Sequence, residues 1–145
     1  MAWKEKIRHW CARGERSKSE VLAKMNRLGA DEAEAIEMLK TLEGEGFVDE
    51  VRFVEAFIHE HFFLKNWGPR KLYDGLLKKG CKSAQIDPII SKLSEVEVEK
   101  ALKRTINSRF TLYPDEHKSN RERLIRYLQN RGYTLDNILS ALSRL

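Results

Sequence analysis

The sequence has few of the residues from which disulfide scaffolds and small zinc domains are built. Its two cysteines, Cys11 and Cys81, lie far apart and form no Cys-x-x-Cys motif, which argues against both classes. We therefore expect the two thiols to be small buried hydrophobes. No apolar run approaches the roughly 18 residues that a transmembrane helix needs, and residues 1–6 lack the apolar core of a signal peptide. We expect a soluble, cytoplasmic protein that binds no membrane.

Catalytic motifs are missing as well. The sequence contains no phosphate-binding loop and no nucleophile elbow. The nearest approach to a metal site is His59 with His61, but side chains at positions i and i+2 of a helix point about 200° apart and cannot chelate one ion. We expect a protein that is not an enzyme and that uses neither a metal nor a cofactor.

Charged residues are plentiful and unevenly placed. Residues 1–30 carry 8 Lys/Arg and 3 Asp/Glu, residues 31–60 carry 2 and 10, and residues 61–145 carry 17 and 9. An acidic segment therefore lies between two basic ones. A basic excess of this size suits a polyanionic partner such as DNA, but charge runs usually mark a solvated face, and the acidic segment argues against a protein coated onto a duplex from end to end.

A short helical pattern occurs three times, and each copy ends at a glycine. Gly29, Gly80 and Gly132 are 51 and 52 residues apart. Apolar residues precede each glycine by eight and four positions: Val21 and Met25, Leu72 and Leu76, Leu124 and Leu128. A second apolar group follows each glycine: Ile36, Leu39 and Leu42; Ile86, Ile90 and Leu93; Ile138, Leu142 and Leu145. Each copy is predicted to form a helix, a glycine stop with positive φ and a second helix.

The predicted fold is all-α, with three tandem three-helix repeats that form an elongated, curved helical array and no separate catalytic domain. Repeat one covers residues 1–46, repeat two residues 47–94 and repeat three residues 95–145. Helix caps are predicted at Ser17, Asp31, Asp49, Gly68, Ser83, Asn120 and Thr134. Residues 111–119 break the periodicity and are predicted to form a flexible loop. Stacked units of this kind usually bind along another macromolecule.

Two aromatic features have a packing and a binding interpretation. The stretch from Phe53 to Leu64 is the most aromatic of the chain and is predicted to be core, with a partner-binding patch as the alternative. Trp67 stands at a turn before two cations, where an aromatic ring could stack on a base. Packing against a helix start is the favoured interpretation.

Cations cluster on one predicted face of the equivalent helices in repeats two and three. Helical phase places Arg123 and Arg126 opposite the buried arc of Leu124 and Leu128, and it exposes the matching positions of repeat two. The candidate binding residues are Arg70, Lys71, Lys78, Lys79, Arg121, Arg123, Arg126 and Arg131. Arginine and lysine neutralise phosphates and carboxylates alike, so this face suits a DNA backbone or an acidic protein groove. Solubility alone is the competing explanation.

Four motifs together resemble the RecX family, bacterial regulators of the RecA recombinase. The run Ala-Arg-Gly-Glu-Arg-Ser at residues 12–17 resembles the family's opening signature, and Gly-Phe-Val-Asp-Glu-Val-Arg-Phe at residues 46–53 resembles its central one. Residues 67–80 follow its Gly-Pro and Lys-Gly helix, and residues 124–142 follow its last repeat. The match covers nearly the whole chain in the right order. It departs at Ala30, where a large apolar residue often follows the repeat glycine, and at Phe47, which replaces tyrosine.

This resemblance implies a non-enzymatic regulator, most simply an inhibitor, that takes part in DNA repair and the SOS response. Family members are similar in lying in the groove of the RecA filament on single-stranded DNA, limiting its extension and dampening ATP hydrolysis, strand exchange and co-protease activity. The implied partners are the RecA nucleoprotein filament and single-stranded or double-stranded DNA, with the chain acting as a monomer. The alternatives are a sequence-nonspecific DNA-binding helical protein or a protein-interaction scaffold that acts indirectly.

Overall fold

The structure, a computed structural model, describes residues 2–145. Within them the chain forms ten α-helices, one π-helical segment and no β-strand. The helices are α1 (Ala2–Ala12), α2 (Lys18–Arg27), α3 (Glu32–Gly44), α4 (Glu50–Ile58), α5 (Pro69–Lys78), α6 (Ser83–Ile90), α7 (Glu95–Leu112), α8 (Glu116–Ser119), α9 (Arg121–Asn130) and α10 (Leu135–Ser143), and the π-helix, His59–Leu64, directly follows α4. The all-α prediction is confirmed.

The predicted flexible loop at residues 111–119 is wrong. Helix α7 continues to Leu112, and the short helix α8 occupies Glu116–Ser119. The side chain of Glu116 is buried and paired with Arg109 and Arg123. Because this tertiary contact fixes the segment, the chain has one helix more than the periodicity indicates.

The three repeat glycines end their helices in the same way. Gly29, Gly80 and Gly132 have φ of 97°, 84° and 103°, as the predicted stop requires. The residue after each glycine donates its N–H to the carbonyl four residues before the glycine, at 3.1, 3.1 and 3.3 Å. This is the hydrogen bond of the Schellman motif. It satisfies a carbonyl that the helix end leaves unpaired and turns the chain into the next helix.

Apolar burial follows the repeat before each glycine and shifts by one residue after the first. Val21, Met25, Leu72, Leu76, Leu124 and Leu128 are all fully buried. Ile36, expected in the core, is 44% exposed, and its neighbour Ala35 is buried instead. Ala35 lies six residues after its glycine, as do the buried Ile86 and Ile138. The position relative to the helix stop fixes the phase of the following helix, so the alanine is the equivalent residue.

The predicted caps explain where most of the helices begin. Ser17 and Glu20 form a reciprocal capping box on α2, and Asp31, Asn120 and Thr134 accept backbone N–H groups at the starts of α3, α9 and α10. Two further predicted caps are confirmed, since Asp49 accepts from the N–H of Arg52 and Gly68 directly precedes α5. Helix α6 begins at Ser83 itself, one residue earlier than a cap at Ser83 predicts.

The chain divides into two compact units. Unit one comprises the chain as far as Ala56 together with Leu76–Asp87, and unit two comprises Phe57–Gly75 and Pro88–Leu145. In unit one, the core is built from α1, α2 and α3 around Trp3, Ile7, Val21, Met25 and Leu42. In unit two, α7 packs against α9 and α10, and α8 packs against α9.

One relationship between successive repeats occurs in each unit. In unit one, the hydroxyl of Ser17 donates to the carbonyl of Lys79 at 2.7 Å. In unit two, the N–H of Gly68 donates to the carbonyl of Arg131 at 2.7 Å. Ser17 and Gly68 each lie twelve residues before their own glycine, and each bonds the residue before the next glycine. This equivalence is compatible with the predicted repeats at residues 1–46, 47–94 and 95–145, which stay a prediction.

Candidate functional site

Helix α9 presents a basic face. Leu124 and Leu128 are fully buried, whereas Arg121, Arg123 and Arg126 are exposed. At 100° per residue, Arg123 and Arg126 project from the side opposite the two leucines. The predicted phase of this helix is therefore confirmed.

A buried carboxylate anchors one of these arginines. Glu116 of α8 accepts from the Nε atoms of Arg109 and Arg123, each at 2.7 Å, and from Nη2 of Arg109 at 2.9 Å. The two guanidinium groups lower the pKa of Glu116 to about 2, with the hydrogen bond from Arg109 as the largest cause. The side chain of Arg123 remains half exposed. The guanidinium of Arg123 is therefore fixed by Glu116 on one side and accessible to solvent on the other.

Aromatic rings support the same cluster. The guanidinium of Arg109 lies 4.2 Å from the ring centroids of both Tyr113 and Tyr127, and that of Arg123 lies 5.4 Å from Tyr113. Cation–π contacts of this kind restrict side-chain rotamers and add attraction. Arg109 and Glu116 were absent from the predicted site. The sequence signal that could have found them is the spacing of seven residues from Glu116 to an arginine on either side.

The start of α5 carries two further predicted cations in different environments. Arg70 is exposed, as predicted, but Lys71 is half-buried, which corrects the expectation of full exposure. Its Nζ lies 4.3 Å from the ring centroid of Trp67, and its Cβ packs against the backbone of Gly132. Burial, and then the charge of Arg131, lower the pKa of Lys71. Two like charges thus lie close together at this point of unit two.

Arg131 ties the turn after α9 to a neighbouring segment of unit two. Its guanidinium donates to the carbonyl of Lys65, and its own carbonyl accepts from Gly68. The residue is half-buried. Arg131 is therefore partly structural, and its charge also acts on Lys71.

Trp67 belongs to an aromatic cluster. Its ring centroid lies 4.3 Å from that of His61 and 6.1 Å from that of Phe57. The rings of Phe57 and His61 stack with their centroids 4.0 Å apart. The favoured packing interpretation of Trp67 is confirmed. In the aromatic stretch, Phe53, Phe57 and Phe62 are buried as predicted, but the adjacent Phe63 and Leu64 are exposed.

Lys78 and Lys79 belong to unit one, apart from the other six candidates. Lys78 is exposed. The Nζ of Lys79 lies 3.0 Å from the carboxylate of Glu20, so its charge is locally compensated. The other six candidates lie in unit two: Arg70, Lys71, Arg121, Arg123, Arg126 and Arg131. Of these, Arg70, Arg121 and Arg126 are exposed without an ion pair among residues 2–145.

Metal-binding and membrane features were sought over the same residues. Between residues 2 and 145, no group of three or more His, Cys, Asp or Glu side chains is arranged to hold a metal ion. In that part of the chain, no helix combines the length and apolarity needed to cross a membrane. Cys11 and Cys81 are free and buried, as predicted for small hydrophobes.

Comparison with known proteins identifies the family. The chain is 32% identical over 115 residues to Regulatory protein RecX of Thermus thermophilus, a match that spans 79% of this chain and 71% of that protein. The chain belongs to the RecX family. Regulatory protein RecX of Halorhodospira halophila is 28% identical over 130 residues, covering 90% and 80% of the two chains. The RecX relatives are regulatory proteins by name, and no family model matches the chain.

Solved structures share the fold of this RecX protein. RecX from Lactobacillus salivarius superposes with a TM-score of 0.85 over 99% of this chain and 94% of that one, at 16% sequence identity. A second crystal structure of regulatory protein RecX gives a TM-score of 0.83 over 97% of this chain and 72% of that one, also at 16% identity. The all-helical architecture is therefore that of RecX.

Proposed function

We propose that this protein regulates the RecA recombinase, most simply as an inhibitor. It binds in the groove of the filament that RecA forms on single-stranded DNA and limits extension of that filament. Through this binding it dampens ATP hydrolysis, strand exchange and co-protease activity. Membership of the RecX family supports a regulatory role.

The basic face of α9 is the main structural support for this proposal. Arg126 and Arg121 are exposed and make no ion pair among residues 2–145, and Arg123 is held in place by Glu116 with half of its side chain exposed. A cation that is already oriented loses less conformational entropy when it binds a phosphate or a carboxylate. The surface is thus suited to a polyanionic groove.

The direct test is filament binding by a triple charge reversal. Arg70→Glu, Arg121→Glu and Arg126→Glu remove exposed cations that make no ion pair among residues 2–145. A matched control, Lys6→Glu, Lys92→Glu and Lys100→Glu, reverses three exposed lysines outside α5 and α9. Each variant carries a net charge of −1 in place of +5. Co-sedimentation with preformed RecA filaments should show lost binding for the first variant and retained binding for the second. Equal binding by both would contradict the assignment of the exposed cations of α5 and α9 to filament binding.

The exposed cations also favour a second candidate function, sequence-nonspecific binding of DNA. Phosphate contacts release counterions, and the logarithm of the binding constant falls with the logarithm of salt concentration by about 0.7 to 0.9 per contact. If DNA alone is the partner, the triple reversal should reduce this slope by about two to three and RecA should change nothing. Binding that increases when RecA coats the DNA supports the filament as the partner.

A further inference from the structure

Unit one contains a hollow that the proposed filament contact does not use. It lies in the groove between α2 and α3 and has a volume of about 340 Å³. That volume falls near the lower end of the range of about 300 to 1,000 Å³ that is typical of ligand pockets. Its lining residues are Leu22, Asn26, Ala30, Asp31, Glu32, Ala35 and Ile36.

The hollow exists where side-chain volume is missing from the repeat. The positions one and six residues after the repeat glycine are buried in all three copies. They hold Cys81 and Ile86 in the second copy and Tyr133 and Ile138 in the third, but both are alanine in the first, at Ala30 and Ala35. Because protein interiors are close-packed, the larger residues fill this space within their own repeats. In the first copy nothing large fills it.

The wall that remains is apolar. Ile36 is 44% exposed, and Leu139, which also lies seven residues after its repeat glycine, is 38% exposed. Leu22, on the facing helix, is half-buried. A large apolar side chain that entered between them would cover both residues and gain the burial that the two alanines leave unused.

The rim of the hollow carries negative charge from Asp31 and Glu32. Four of the other seven carboxylates of the acidic segment form ion pairs, namely Glu37–Lys40, Glu43–Lys18, Glu45–Arg8 and Glu60–Lys65. Asp31, Glu32 and Glu34 form no ion pair among residues 2–145. A hydrogen bond with Asp31, and then its charge, raise the pKa of Glu34, and the charge of Lys4 opposes this rise without cancelling it.

We propose that this hollow is a docking site for a partner segment that carries one large apolar side chain flanked by lysine or arginine. The apolar side chain occupies the space above Ala30 and Ala35 and contacts Leu22 and Ile36. The flanking cations pair with Asp31 and Glu32 at the rim. The site is distinct from the basic face of α9. It selects a positively charged partner, whereas the basic face selects a negatively charged one.

Three synthetic peptides of equal length test the chemistry. The first has a central Leu-Phe pair flanked by lysines, the second replaces the pair by Ser-Ser, and the third replaces the lysines by glutamates. Each is titrated into the full chain at low salt while backbone amide shifts are followed by NMR. The proposal expects saturable shifts at Ala30, Ala35 and Ile36 with the first peptide only. Equal shifts from the serine peptide, or no shifts at these amides with any peptide, would overturn it.

Two substitutions test the location. Ala35→Ile fills the hollow from within, as Ile86 and Ile138 do in the other copies, and should weaken binding of the first peptide at least about tenfold. Glu32→Lys changes the rim without entering the core and should weaken binding several-fold. Glu37→Lys, at an exposed position of the same helix outside the hollow, is the matched control and should bind as the unmodified chain does.

Weaker peptide binding by a variant could also come from loss of folding. The melting temperature of each variant is measured first, and if Ala35→Ile fails to fold, the comparison of Glu32→Lys with Glu37→Lys decides the question alone. Undiminished binding by Glu32→Lys would overturn the charged rim. Concentration-dependent shifts at the hollow without peptide would identify a second copy of this chain as the occupant and overturn the proposed partner.

Discussion

The backbones of Gly68 and Gly132 lie in direct contact. A Cβ placed on Gly68 would lie 2.4 Å from the carbonyl carbon of Gly132, and one placed on Gly132 would lie 2.7 Å from the carbonyl oxygen of Gly68. Because Cβ atoms do not approach backbone atoms so closely, only glycine at both positions lets the start of α5 reach the turn after α9. The hydrogen bonds from Gly68 to Arg131 and from Arg70 to Gly132 depend on that approach.

Gly68→Ala should destabilise the protein. The added methyl group forces the two backbones apart, and overpacking of this kind costs about 1 to 3 kcal/mol. The midpoint of urea unfolding should therefore fall. Gly44→Ala is the matched control, since a Cβ there meets nothing within 4 Å and alanine is the better helix former. A midpoint for Gly68→Ala that equals that of Gly44→Ala would contradict the close contact.

Glu116→Gln should also destabilise the protein. The substitution keeps the shape of the side chain but removes the charge that pairs with Arg109 and Arg123 at 2.7 Å. Hydrogen bonds to charged groups contribute about 1.5 to 3 kcal/mol, so a loss of this order in the free energy of unfolding is expected at pH 7. The control Glu99→Gln removes two partly exposed ion pairs, with Lys103 and Arg144, and should cost less than about 1 kcal/mol. Equal losses of unfolding free energy would contradict a larger contribution from the buried cluster than from the partly exposed ion pairs.

The stability contributed by Glu116 should depend on pH in a defined direction. Its pKa is lowered from 4.5 to about 2 in the folded chain, so folding favours the ionised form. The contribution is fully present above the unfolded pKa of about 4.5 and is lost as the pH falls through about 2. The difference in unfolding free energy between the unmodified chain and Glu116→Gln should be constant from pH 5 to 7 and shrink below about pH 4.5. A difference that grows on acidification would contradict the assignment.

Much of the fold was predictable because its signals are local. A glycine stop, a capping serine and apolar residues eight and four positions before the glycine depend on neighbouring residues only, and the structure confirms all three. Ile36 was placed in the core wrongly because an aliphatic residue stood beside the true equivalent, Ala35. Distance from the helix stop, rather than residue size, decides which side chain faces inward.

The candidate site was less predictable because it depends on tertiary contacts. Helical phase found the exposed Arg123 and Arg126, but it could not show that Glu116 draws Arg109 and Arg123 together across a segment without periodicity. It also placed Lys71 in solvent, whereas packing on Trp67 and against Gly132 half-buries it. Sequence therefore identified the cations, and the structure distinguishes those that are open from those that are paired.

Neither cysteine should react with thiol reagents in the folded protein. Burial, with further contributions from the charge of Glu50 and its hydrogen bond, raises the pKa of Cys81 to about 12, and burial also raises the pKa of Cys11. Since the thiolate is the reactive form, labelling at pH 8 should wait for unfolding. An exposed control thiol, Ala23→Cys, should react at once. Rapid labelling of the unmodified chain without denaturant would contradict the burial of both residues.

Regulation of RecA by this protein is measured by the rate of ATP hydrolysis of the cognate RecA on single-stranded DNA. The protein is titrated from sub-stoichiometric to saturating amounts, beside the Arg70, Arg121 and Arg126 charge reversal. We expect the unmodified chain to inhibit hydrolysis well below one copy per RecA, and the triple variant to inhibit far less. No effect of the folded, unmodified chain at saturation on intact filaments would contradict the proposed function.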